Sequence, residues 1–111
     1  MNNLFLEQLS IVIVNYNLRD DTVNCIESLL RAGAQEHQIT VVDNNSSDDS
    51  VNFIRQNFTS VNLIEMPENR GYPHALNSGI IFSLKKPIQW ILLLNNDIIV
   101  DKEFLIELGK A

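Results

Sequence analysis

The chain has 111 residues, 45% of them hydrophobic and 20% charged, with a net charge of −6. This is ordinary globular composition, enough for one domain with a real core but small for an enzyme with two substrate pockets. The acidic balance excludes a general nucleic-acid surface, which needs a basic stripe, and is compatible with a site that recruits a divalent cation.

The single cysteine, Cys25, excludes an internal disulfide and fits a reducing compartment. It lies in a helical pattern beside Ile26 and reads as a packed thiol rather than a nucleophile. The opening MNNLFLEQLS lacks the basic start and long apolar stretch of a signal peptide. No segment approaches the roughly 18 apolar residues of a membrane span. A cytoplasmic domain is expected, with residues 1–111 forming one unit free of repeats, low-complexity stretches and linkers.

In chain order, Leu9–Val14 (LSIVIV) is the first apolar, β-branched-rich run and reads as a strand. Asp20 or Asp21 is placed to cap a helix with Val23, Ile26, Leu29 and Leu30 on one face and Gly33 as its stop. Ile39–Val42 (ITVV) is the second strand. Ser46 or Ser47, followed by Asp48 and Asp49, opens a helix that turns Val51, Ile54 and Phe58 inward. Val61–Met66 (VNLIEM) alternates more than the other runs, which suits an edge strand. Pro73 fits the first turn of a third helix, with Leu76, Ile80 and Leu84 on one stripe and Ile81 alongside. Ile88–Leu94 (IQWILLL) is the fourth strand, and Asp101 is placed to cap a short helix through Phe104, Leu105 and Leu108. The order β-α-β-α-β-α-β-α with right-handed crossovers predicts an α/β fold. It is a Rossmann-like three-layer αβα arrangement around a mostly parallel sheet of order 3-2-1-4.

The segment WILLLNNDIIV, Trp90–Val100, sets three polar residues inside an apolar run. One continuous buried strand would leave Asp97 unpaired at a cost of several kcal/mol, so the strand is expected to end there. Open α/β sheets bind ligands at the carboxyl ends of their strands. Asn15-Tyr16-Asn17 follows the first strand, Asp43-Asn44-Asn45-Ser46 the second, the segment 67–72 the third and Asn95-Asn96-Asp97 the fourth. Hydrogen-bonding groups thus converge on one rim. Other uses of such a sheet lack their residues. No Gly-x-Gly-x-x-Gly follows the first strand for a dinucleotide, and no Gly-Lys-Ser/Thr forms a P-loop. Asn15 and Asn17 cannot replace the acidic pair of a phosphoryl-receiver domain.

The combination IVIVNYN, VVDNNSSDDS, ENRGYPHALNSGI and LLLNNDIIV, covering about residues 9–101, resembles the nucleotide-sugar-binding half of inverting family 2 glycosyltransferases of the rhamnosyltransferase-like group. The resemblance implies a GT-A fold that binds a nucleotide-diphosphate sugar with Mg²⁺ or Mn²⁺ and serves cell-surface polysaccharide biosynthesis. By that resemblance Asn15, Tyr16 and Asn17 lie along the nucleoside, and Asp43 accepts from the imino N–H of uracil or thymine. Asp97 matches the last Asp of the family's Asp-x-Asp-like motif and binds the metal. Asn45, Asn69, Gly71, Asn77 and Asn96 complete the implied contacts. For Asn69 and Gly71 a loop-forming role stands beside ligand contact, and for Asn77 a loop-tying one. Two positions depart from the pattern: Asn95 stands where many relatives of the wider fold carry Asp, and Pro73 replaces a small residue. The chemistry is independently reasonable. A carboxylate is a pure acceptor that suits an imide N–H, and Mg²⁺ takes only one or two protein carboxylates when phosphates complete its shell.

In a complete enzyme of this kind, the acceptor pocket and the carboxylate general base come from beyond the last helix, and neither Glu103 nor Glu107 is assigned that job. The 111 residues are therefore expected to be a donor-binding half, inactive or nearly so at this length, from an enzyme in the cytoplasm or at the inner face of the membrane. Trp90, Leu92 and Leu94 are expected to leave an apolar face or strand edge exposed, a route to homo-oligomers. Two readings compete: a non-catalytic fragment that binds a partner through that edge, and a nucleotidyltransferase. The latter calls for a Gly-rich, basic loop after the first strand, which is absent.

Overall fold

Every residue of Leu9–Asn15 is buried, and this run forms β1, an inner strand of a parallel sheet. The structure, a computed structural model, describes residues 4–111. β2 (Ile39–Asp43) is buried throughout as well and pairs with β1 in register, Ile11 beside Ile39 and Asn15 beside Asp43. β3 (Asn62–Glu65) and β4 (Trp90–Asn95) are the edges, so the order is β3-β2-β1-β4, all parallel. The expected 3-2-1-4 sheet is present. Near-continuous apolar runs belong to inner strands because helices cover both their faces. The alternating third run is an edge strand with half-buried side chains, as expected.

Two packed layers flank the sheet. On one face α2 (Arg19–Arg31), α3 (Ser50–Asn57) and α5 (Phe104–Gly109) send Cys25, Ile26, Leu29, Ile54 and Leu105 against Ile11, Ile13, Ile39 and Val41. On the other, α4 (Tyr72–Leu84) brings Ala75 against Val12, Val14 and Val42. Side chains along a strand alternate between faces, so the odd positions of β1 and β2 meet the first layer and the even positions meet α4. Fully buried residues such as Ile11, Ile26 and Leu29 each contribute roughly 1.5–3 kcal/mol by leaving water.

Helix ends differ from expectation in instructive ways. α2 starts at Arg19, after Leu18 in a left-handed conformation (φ 54°), so Asp20 and Asp21 occupy its first turn rather than its cap. They still favour the positive end of the helix dipole. Gly33 (φ 106°) does end α2: Ala34 N–H reaches Leu29 O and Gly33 N–H reaches Leu30 O, the paired bonds of a Schellman motif. α3 starts later than expected, at Ser50, whose N–H donates to Asp48 Oδ1 at 3.0 Å; Ser46 and Ser47 belong to the preceding loop. α5 starts at Phe104, after a turn in which Phe104 N–H meets Asp101 O. The four-residue α1 (Leu4–Glu7) has no counterpart in the sequence reading.

The inward stripe of α4 is also corrected. Ala75, Gly79 and Ser83 face the sheet, while Ile81 and Leu84 are exposed and Leu76 and Ile80 are half-buried. The helix lies so close to the strands that a Cβ at Gly79 would stand 2.4 Å from Val12 Cγ1. At the far end the Ser83 and Ser10 hydroxyls hydrogen-bond at 2.7 Å. Among the described residues, no helix is long and apolar enough to cross a membrane.

Candidate functional site

The strand alternation that builds the core also divides the polar residues at the strands' carboxyl ends. Asn15 and Asp43 continue the odd series and turn toward α2 and α3. Tyr16 and Asn44 continue the even series and line an open cleft of about 510 Å³ together with Val14. The segment after β3 adds Asn69, Gly71 and Tyr72, and β4 adds Asn95, Asn96 and Asp97. Residues far apart in sequence therefore meet at one rim, with the N-terminus of α4 opening onto it.

Beneath the cleft, the inward group forms a hydrogen-bonded chain. Asn15 Nδ2 donates to Asp43 Oδ1 at 2.8 Å and to Ser46 Oγ at 3.2 Å. Ser46 gives its hydroxyl to Asp43 Oδ1 at 2.7 Å and its N–H to Asp43 Oδ2 at 2.9 Å. On the other side, Thr22 Oγ1 donates to Asn15 Oδ1 at 2.6 Å and accepts from Asn96 Nδ2 at 3.1 Å. Asn15, Thr22 and Asp43 are 0–2% exposed, so each needs these partners.

The other expected site residues fall on either side of this division. Tyr16, Asn69, Gly71, Asn96 and Asp97 line the cleft, whereas Asn15 and Asp43 sit under it. Asn17 (φ 53°) shapes the β1–α2 loop: its N–H donates to Ser46 Oγ and its Oδ1 accepts from the N–H groups of Ser47 and Asp48. Asn45 (φ 66°) is exposed on the adjoining loop, and Asn77 is exposed on α4; neither lines the cleft. Asn69 has a loop role as well as a cleft position, since its Oδ1 accepts from Asn44 Nδ2 and Gly71 N–H. Arg70, next to it, pairs with Glu68 on the exposed loop.

Asn44, Tyr72 and Asn95 lie in the rim segments read from the sequence but were assigned no contact there, and Leu18 was missed altogether; all four line the cleft. Parity along the strands was the available signal for Asn44 and Asn95. Nothing in the local sequence marks Leu18, which reaches the cleft because Asn17 and Leu18 both adopt left-handed backbone. Asn44 is 3% exposed, and its Oδ1 is without a hydrogen-bond partner.

Asp97 sits in a turn closed by Ile98 N–H to Asn95 O at 3.2 Å. It is exposed, and near enough to α2 that its charge helps raise the Cys25 thiol, after burial itself, to a pKa of about 11. Among the described residues, no three His, Cys, Asp or Glu side chains cluster to hold a metal ion. The donor set is one exposed carboxylate with amide groups beside it. That set suits a hard divalent cation sharing its shell with phosphate oxygens and water, and does not suit an all-protein cage.

The family model described as "Glycosyl transferase family 2" matches residues 10–110. The low-salt glycan biosynthesis hexosyltransferase Agl10 of Haloferax volcanii is 35% identical over 106 residues, 93% of this chain and 32% of its own length. Poly-beta-1,6-N-acetyl-D-glucosamine synthase of Staphylococcus aureus is 26% identical over 101 residues, 88% of this chain and 24% of that protein. Among solved structures, S. aureus TarS 1-349 in complex with UDP matches with a TM-score of 0.76 at 19% identity, over 93% of this chain and 31% of that one. The mannosyltransferase PcManGT from Pyrobaculum calidifontis, in complex with GDP-Man and Mn²⁺, matches with a TM-score of 0.66 at 18% identity, over 81% and 27%. Both solved structures share the fold of this chain, which spans about a third or less of the length of all four proteins.

Proposed function

The chain belongs to glycosyl transferase family 2, and from that premise we propose that it forms the donor-binding part of an inverting, metal-assisted glycosyltransferase using a UDP- or dTDP-sugar. The observation that carries this reading is the gathering of Tyr16, Asn44 and Asn69 with Asp97 around a single cleft at the strands' carboxyl rim. Tyr16, about half exposed, offers an aromatic face to a base. Asp43 is held beneath the cleft by Asn15 and Ser46, and its Oδ2 accepts one hydrogen bond, from Ser46 N–H, which leaves acceptor capacity for a pyrimidine imino N–H. Gly71 and Tyr72 begin α4 at the cleft's edge, where helix N-termini favour phosphate.

Asp97 is the residue that would hold Mg²⁺ or Mn²⁺ with the donor's diphosphate. What such a cation supplies is compensation of the charge that grows on a departing diphosphate. The chain's own residues bind and orient the donor. The general base and the acceptor pocket are assigned to the remaining two thirds of a protein of the relatives' length, so these residues alone are expected to bind donor without transferring sugar. A role in surface polysaccharide assembly and a cytoplasmic location complete the proposal. They are supported by the names of the relatives and by the lone buried thiol of Cys25.

Calorimetric titration with UDP, dTDP and GDP, with and without Mn²⁺, tests this. Binding of a pyrimidine nucleotide should be strengthened by Mn²⁺, and Asp97→Ala should remove that gain while the protein stays folded. Indifference to metal in both proteins would overturn the metal-assisted reading, and a preference for GDP would overturn the pyrimidine one. A second reading, self-association through the β4 edge, is favoured by Trp90 and Leu93, which are 53% and 42% exposed there. Of the side chains expected there, Trp90 is exposed, whereas Leu94 is buried and Leu92 half-buried.

A further inference from the structure

α2 grips the segment after β4 at two points. Thr22 Oγ1 accepts from Asn96 Nδ2 at 3.1 Å, and Ser28 Oγ accepts from Val100 N–H at 3.1 Å. Thr22 and Ser28 are both completely buried, on the same helix face as Cys25, which lies between them and feels the charge of Asp97. The turn that presents Asp97 therefore hangs between two hydroxyl anchors on one helix.

Of the two anchors, only Thr22 is tied to the rest of the rim. Its single proton goes to Asn15 Oδ1, which leaves its lone pairs for Asn96. Asn15 in turn must aim Nδ2 at the Asp43 carboxylate, because an amide oxygen there would face an acceptor. Every donor from Asn96 through Thr22 and Asn15 thus points one way, ending on a negative charge. Bonds aligned in that way reinforce one another, and reversing any of them would leave a buried group unpaired.

We propose that Thr22 is a positioning residue: by fixing Asn96 at the head of the turn, it sets the direction of the Asp97 carboxylate toward the diphosphate end of the cleft. This rests on the donor-binding reading above. Groups that hydrogen-bond directly to a metal ligand orient it, and losing one commonly lowers metal affinity about 10- to 100-fold. Thr22 acts one residue further back, through Asn96, so an effect at or below the low end of that range is expected.

The test compares wild type, Thr22→Val and Thr22→Ser by calorimetric titration of UDP, each with and without Mn²⁺, after thermal melts establish folding. The quantity read is the factor by which Mn²⁺ strengthens UDP binding. Thr22→Val keeps the shape but loses donor and acceptor, and that factor should fall severalfold, up to about tenfold, while Thr22→Ser restores it. A merely structural role would weaken binding with and without metal alike and leave the factor unchanged, which overturns the proposal. Should Thr22→Val fail to melt cooperatively, Asn96→Ala cuts the same bond from its solvent side while Thr22, Asn15 and Asp43 stay joined. Because Asn96 also lines the cleft, loss of the factor there supports the proposal when metal-free UDP binding is unchanged; retention of the factor, or a loss of metal-free binding as well, overturns it. If wild type binds UDP with no Mn²⁺ effect, the metal-assisted reading fails and takes this proposal with it. A normal wild-type effect retained in Thr22→Val sinks the proposal alone.

Discussion

Asn15 and Asp43 stand opposite each other at the carboxyl ends of β1 and β2, and the Asn15 amide donates to Asp43 Oδ1 at 2.8 Å. A carboxylate at 2% exposure is tolerated there because Asn15 and Ser46 together deliver three hydrogen bonds to it. Asn15→Ala removes one of those donors and also orphans the Thr22 hydroxyl. It should cost about 2–3 kcal/mol, seen as a lower urea midpoint at unchanged slope. Asn15→Asp should cost more at neutral pH, since it sets a second carboxylate beside the first. An Asn15→Ala protein as stable as wild type would mean that Ser46 alone satisfies Asp43.

How far the sequence revealed the site follows from the same pair. The strands, their order and the polar rim were legible because buried parallel strands are written as continuous apolar runs, and turns as Asn, Asp and Ser. The motif NYN also placed Tyr16 at the rim. Whether Asn15 or Tyr16 faces the cleft depends on side-chain parity, and a run buried on both faces carries no polar alternation to display it. Counting parity from α4's side would have separated Tyr16 and Asn44 from Asn15 and Asp43. Helix starts were harder to read, because Asp20, Asp21, Ser46 and Ser47 are all competent caps. Backbone geometry at Leu18 and the bonds drawn by Asp43 and Asn17 decided among them.

Close packing of α4 on the sheet rests on Gly79. A Cβ there would meet Val12 Cγ1 at 2.4 Å and Val42 Cγ2 at 3.0 Å, contacts that buried neighbours cannot relieve by simple rotation. Alanine is favoured over glycine in a helix by about 1 kcal/mol, whereas overpacking a core costs about 1–3 kcal/mol. Gly79→Ala should therefore be net destabilising despite its propensity. Adding Val12→Ala should recover part of the loss, giving a favourable coupling in a double-mutant cycle. Simple additivity of the two changes would show that α4 shifts outward instead.

The open edge makes a separate prediction. Among the described residues, β4 pairs with a strand on one side alone and exposes Trp90 and Leu93, an arrangement that invites strand-to-strand pairing. Sedimentation velocity should show association growing from low to high micromolar protein. Leu93→Lys should move the equilibrium toward monomer, because pairing would bury its charge. A compact monomer across that whole range would count against the edge as a self-association surface.

Cys25 reports on Asp97 from the opposite side of the turn. Burial, and then the Asp97 charge, push its thiol from the ordinary 9.0 up to about 11. At pH 8 the thiolate is then on the order of one part in a thousand, so the native protein should resist thiol reagents until it unfolds. The sign of the stability effect follows from proton binding. Above pH 9 the unfolded chain releases the thiol proton while the folded chain keeps it. Stability contributed by the raised pKa is thus complete below about pH 9 and is lost as pH rises through about 11. At about 1.4 kcal/mol per unit, the loss amounts to roughly 2–3 kcal/mol, and Cys25→Ala should flatten it. Asp97→Asn removes only the smaller cause, so the thiol should titrate lower than in wild type yet still above 9.0. Alkaline titration of thiolate absorbance measures both shifts. A thiol unmoved by Asp97→Asn would place that carboxylate farther from α2 than the turn between Asn95 and Ile98 puts it.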